Sequence, residues 1–101
     1  MNQQRQHTRK HFSSDVELHH DGNVTQGRSI NISQGGIFVD TDLLPPLGSK
    51  LVLKMRIPGA GDDCEIPCIV RWVKEGEGLG LQFEQLRAIE MWALNKLIKS
   101  L

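Results

Sequence analysis

The chain has 101 residues, and 12 Lys and Arg side chains balance 12 Asp and Glu to a formal net charge of zero. That length fits one domain and argues against a two-domain enzyme built around a cofactor crevice. The neutral balance argues against a long nucleic acid as ligand, which needs a broad basic footprint, and no stretch approaches the ~20 apolar residues of a membrane helix.

Charge is unevenly placed along the chain. Residues 1–14 carry Arg5, Arg9 and Lys10, with His7 and His11 beside them and no acid, so the remainder is net acidic. This basic arm has no periodicity and few apolar residues, and is expected to be flexible. It lacks the apolar core of a signal peptide, and a soluble, cytoplasmic protein is the expectation. A cationic arm on an acidic body suits capture of one compact anion; a solvated terminus would have the same composition.

Beyond the arm, ten Gly and four Pro break the chain into short pieces. Val16 and Leu18 share one side of a first strand, Asp15 to His20, and Asp21-Gly22-Asn23 is a hairpin signal. Val24 to Ser33 reads as a second strand and Ile37-Phe38-Val39 as a third. Pro45-Pro46 marks a loop. Leu51, Leu53, Met55 and Ile57 alternate with Val52, Lys54 and Arg56, the clearest period of two in the chain. After a turn at Pro58 to Asp63, the alternation places Cys64, Ile66, Cys68, Val70 and Trp72 on one face and Glu65 and Arg71 on the other. Leu79, Leu81 and Phe83 line a sixth strand. From Glu84 the period changes: Leu86, Ile89, Ala93 and Leu97 recur at helical spacing, with Arg87, Glu90 and Lys96 off that stripe. No strong N-cap precedes this helix, and Lys96 and Lys99 complement the dipole at its end. The expected fold class is all-β dominated. Residues 15–84 would form a six-stranded antiparallel β-barrel, and residues 85–101 an amphipathic helix that plugs it, within a single domain.

The side chains offer little for catalysis or metal binding. Cys64 and Cys68 are roughly 13 Å apart on a strand, too far for a mutual disulfide. They read as small core residues of a reducing compartment. His7 and His11, and His19 and His20, lack the partners that complete a metal site, so no metal is expected. Gly78-x-Gly80 opens a strand and is no dinucleotide fingerprint. No nucleophile elbow or triad pattern is visible, and the chain does not read as an enzyme. Trp72 and Trp92 are both expected to pack on the core.

Two short patterns remain. Arg5-Gln6-His7-Thr8-Arg9 places two guanidinium forks four residues apart, and such forks grip phosphates or the O6/N7 edge of guanine. Asn31-Ile32-Ser33-Gln34-Gly35-Gly36 alternates in a strand so that Ile30 and Ile32 face the interior and Asn31 and Ser33 face outward. Gly35-Gly36 then permits a tight turn and close backbone approach. A strand that simply ends in a polar turn would show the same residues.

RxxxR followed about twenty residues later by [D/N]xSxxG resembles the signature of PilZ domains, bacterial receptors for cyclic di-GMP. Gly36-Ile37-Phe38-Val39, Val70-Arg71-Trp72-Val73 and Gly78-Leu79-Gly80-Leu81-Gln82-Phe83 are similar to strands of that family, so the resemblance runs from Arg5 to about Leu97. It implies a six-stranded barrel with a C-terminal helix, in agreement with the periodicity. It also implies that Arg5 and Arg9 hold phosphates and contact guanine, that Asn31 and Ser33 bond one guanine edge, and that Gly36 lets the backbone close on the ligand. Asn31 stands where Asp is more familiar, and an amide has one acceptor where a carboxylate offers two. The implied function is a cyclic di-GMP receptor with no cofactor. Binding would order its N-terminal arm and relay the signal to an unidentified downstream protein in motility, biofilm or polysaccharide control. The alternative is a PilZ-like protein-interaction adaptor that does not bind the nucleotide. Nucleic acid and membrane insertion are not expected.

Overall fold

Alternation of apolar and polar residues makes strands that can bury one face only, and here the strands close on that face. The computed structural model describes residues 9–101. Its elements are β1 (Lys10–His11), β2 (Asp15–His20), β3 (Asn23–Ile32), β4 (Gly36–Asp40), β5 (Lys50–Met55), β6 (Cys64–Lys74), β7 (Gly78–Phe83) and α1 (Ala88–Ser100). The hydrogen-bonded order is β3-β2-β5-β6-β7-β4, and β4 returns to pair with β3. Every pairing is antiparallel. The result is a closed six-stranded barrel that leaves no long edge unpaired. β1 is an extra strand, Lys10 and His11 pairing with Ile32 and Asn31 of β3.

The expected inward faces hold on most strands. Val16, Leu18, Leu51, Leu53, Met55, Ile66, Val70, Leu79 and Leu81 are buried, with both cysteines among them as free thiols. The helix adds Ala93, Leu94 and Ile98 to this core. β2 and β3 meet through Asp21 and Gly22, both at positive φ (51° and 78°), the geometry of a two-residue turn whose twist matches the strands.

Two β-bulges change what faces outward. On β3, Ser29 pairs with Val39 and Asn31 with Phe38, leaving Ile30 extra. On β6, Val70 pairs with Leu81 and Trp72 with Gly80, leaving Arg71 extra. A bulge resets the alternation by one residue. Ile30, expected inside, is therefore exposed, while Ser29 is buried. Trp72, expected in the core, is 40% exposed, and Val73 packs against the core in its place.

Three further expectations need correction. The arm does not stay free up to residue 14: the Phe12 N–H donates to Ile30 O at 3.0 Å, and Ser29 N–H to Ser14 O at 2.8 Å. Arg5 and His7 lie outside the described residues. The helix starts at Ala88 rather than at residue 85, and its buried face carries Glu90 while Ile89 is exposed. Trp92 is 52% exposed, with Lys96 Nζ 4.8 Å above its ring.

Candidate functional site

The pairing of β1 with β3 brings Arg9 and Asn31, one residue from each half of the sequence signature, into contact. Asn31 is half-buried on the outer face of the barrel, directly opposite His11 of β1 on one side and Phe38 of β4 on the other. β1 lies along β3 and carries Arg9 to the same place. Arg9 Nη1 donates a hydrogen bond to Asn31 Oδ1 at 2.9 Å, across 22 residues of sequence. Arg9 is exposed and has no carboxylate partner among the described residues. Its remaining donors, and the amide donors of Asn31, are open to an anion or a base edge.

Ser33 occupies a different position from the one expected. Ser33 is buried at 4% exposure rather than lying on the outer face. Its backbone N–H donates to Gly36 O at 2.9 Å, and its Oγ accepts from the Gly35 N–H at 3.2 Å. The serine thus fixes the β3–β4 turn. A side chain on Gly36 would run into the Leu81 carbonyl of β7, so glycine is demanded by strand approach at this point. Both residues shape the loop beside Asn31. Gln34, on the same turn, donates to Asn95 of α1 at 2.8 Å and ties the loop to the helix.

Lys10 reaches the other end of the helix. Its Nζ donates to Leu101 O at 3.3 Å, where a cation also suits the helix dipole. Beside the Arg9–Asn31 contact lies a cleft of about 340 Å³ whose lining includes His11, Phe12, Arg28, Ile30 and Asp40. Arg28 is held there by Asp15 Oδ1 at 2.7 Å and Ser13 Oγ at 2.8 Å. Among the described residues no group of three His, Cys, Asp or Glu side chains gathers as a metal site would require.

Residues 3–100 match the model of the PilZ domain. The chain belongs to the PilZ domain family. Among solved structures, the PilZ chain is similar to the inhibitor of motility MotI/DgrA of Bacillus subtilis, at 27% identity and a TM-score of 0.78. The match covers 98% of the present chain and 51% of that one, so the chain spans about half its length. No curated protein matches the chain. PilZ domains are ligand-binding and adaptor modules, and the observed barrel with its C-terminal helix is the fold the resemblance implied. Among the described residues no helix is long and apolar enough to cross a membrane.

Two features of this face were not foreseen. β1 is too short to show any periodicity. The outward turn of Trp72 depends on a bulge, for which the only sequence signal is the adjacent pair Trp72-Val73: both are apolar, and strict alternation can bury just one of them.

Proposed function

We propose that this PilZ domain is a cytoplasmic cyclic di-GMP receptor that uses Arg5, Arg9, Asn31, Ser33 and Gly36 and relays binding to a partner protein. The observation that carries this reading is the Arg9–Asn31 hydrogen bond, which joins the RxxxR and NxSxxG segments on one exposed surface. Arg9 contributes a guanidinium fork to a phosphate or a guanine edge, and Arg5, four residues earlier, contributes a second. Asn31 reads the base, while Ser33 and Gly36 hold the β3–β4 turn beside it. No metal or cofactor takes part in this scheme. Bound ligand holds the Arg5 segment against β3 and so alters the surface a partner meets. The similarity to a motility inhibitor supports control of motility as the output.

Titration calorimetry with cyclic di-GMP tests this directly. The native chain should bind, and Arg9→Ala should lose about a hundredfold in affinity, as expected for one charged, bidentate contact. A native chain that gives no binding heat would leave the adaptor alternative. Equal binding of single-stranded DNA would contradict the assignment to a compact nucleotide.

A further inference from the structure

The barrel buries one side of α1 and leaves the other bare. Ala93, Leu94 and Ile98 join the core, while Ile89, Met91 and Trp92 are exposed at 44%, 50% and 52%. One exposed apolar side chain is ordinary, but three fall here within the first half of a 13-residue helix. Ile89, Trp92, Lys96 and Lys99 stand at i, i+3, i+7 and i+10, so they form one stripe along the helix. At the usual helical rise the stripe is about 15 Å long, apolar at its start and basic at its end.

Two observations set this stripe apart from a solvated helix face. The first is its charge. The one acid of α1, Glu90, is turned inward and paired with the Arg87 guanidinium at 3.0 Å. Lys96 and Lys99 are exposed and have no carboxylate partner among the described residues. The bare side of the helix is therefore purely cationic. The second is the way Trp92 is held. Its ring lies against the β5–β6 turn, where a Cβ on Gly59 would stand 3.5 Å from Trp92 Cζ3. Lys96 Nζ sits 4.8 Å above the same ring. An indole already fixed in place loses little freedom on binding, which is the property of an interface anchor.

We propose that this stripe docks an amphipathic helix of a partner protein. Apolar side chains of the partner cover Ile89 and Trp92, and its Asp or Glu side chains, about two turns away, meet Lys96 and Lys99. Charge complementarity selects this occupant. A second copy of the chain would bring the same two lysines to the contact and no exposed acid of α1 to match them. An anionic lipid surface is held by clusters of roughly four to eight basic residues, more than the stripe offers. None of these residues takes part in the Arg9–Asn31 contact, so the docking surface stands apart from the cyclic di-GMP reading.

The probe is a library of randomised helical peptides, selected on the native chain without nucleotide and measured by fluorescence anisotropy. Selected peptides should carry an apolar pair with Asp or Glu about two turns away. Trp92→Ala should weaken them about thirtyfold, as loss of an anchor does. The double variant Lys96→Glu, Lys99→Glu touches no core residue and should weaken them about tenfold, and exchanging the peptide acids for Lys should restore binding to it. Melting profiles should match the native one, so that a folding defect is not read as lost binding. Absence of any selected peptide, or peptides that bind both variants as well as the native chain, would overturn the proposal. Self-association in sedimentation equilibrium that Trp92→Ala abolishes would assign the stripe to a second copy instead. Pelleting with vesicles of phosphatidylserine and phosphatidylcholine that the lysine variant abolishes would assign it to lipid. Either result overturns the partner helix, and neither bears on whether the chain binds cyclic di-GMP.

Discussion

Asn31 concentrates the chemistry of this surface in one amide. Its Oδ1 already accepts from Arg9, which leaves one lone pair for a guanine whose N1–H and N2–H are both donors. Guanine can therefore place one of these donors on Oδ1 while Arg9 stays, and both only if Arg9 leaves. A carboxylate at this position would accept from Arg9 and from guanine together. Asn31→Asp is accordingly expected to tighten cyclic di-GMP binding about fivefold, as one added charge-assisted hydrogen bond would. Calorimetry on the two proteins checks it, and an unchanged or weaker affinity would mean that residue 31 does not read the base. The pair Arg9 and Asn31 was legible in the sequence as motif positions. The burial of Ser33 was not, because it depends on the β3–β4 turn folding back so that Ser33 bonds the glycines after it.

At the scale of elements, β5 and β7 follow their sequence period without exception, and their inward residues are the ones alternation names. β3 and β6 depart from theirs because each contains a bulge, and a bulge is decided by pairing with a partner strand rather than by local pattern. The helix departs for an electrostatic reason. Glu90, at 2% exposure, accepts the Arg87 backbone N–H at 2.8 Å and pairs with the Arg87 guanidinium at 3.0 Å, and this fixes the helix start. Helical periodicity counts apolar residues and so assigned Ile89 to the stripe that Glu90 occupies. Burial pushes the Glu90 carboxyl up, but the Arg87 backbone and side chain outweigh it and hold the group below its ordinary value of 4.5. A carboxyl depressed in the folded state adds stability above its unfolded value, and that contribution is lost as pH falls through the folded one. Urea unfolding at neutral pH should show Glu90→Ala less stable by about 2 kcal/mol, the loss of a charged hydrogen-bonding group. Glu90→Gln should flatten the decline in stability below pH 4.5. An acid limb unchanged by Glu90→Gln would contradict this account of the helix start.

The whole molecule is a closed barrel whose interior excludes water from both thiols. Burial, with Glu84 adding to it, pushes the Cys68 thiol up to about 12; burial and then the nearby Glu90 raise Cys64. The thiolate is the reactive form. The native chain should therefore label slowly with a thiol reagent at neutral pH, and both cysteines should label together once denaturant opens the barrel. Rapid labelling of the native chain would show that the barrel opens locally near β6. Barrel closure was within reach of the sequence, since six short strands and one helix have few other ways to bury their apolar faces. The docking of β1 was not, because two residues carry no period, yet β1 is what delivers Arg9 to Asn31.

The contact between Arg9 and Asn31 as a nucleotide clasp is tested most directly by nuclear magnetic resonance of the labelled chain titrated with cyclic di-GMP. The Arg9 Nε–H and Asn31 side-chain amide signals should shift and saturate together, with the β3–β4 turn following, and Arg9→Ala should abolish the response. Shifts confined to the exposed face of α1, or none at Arg9 and Asn31 under saturating ligand, would contradict it.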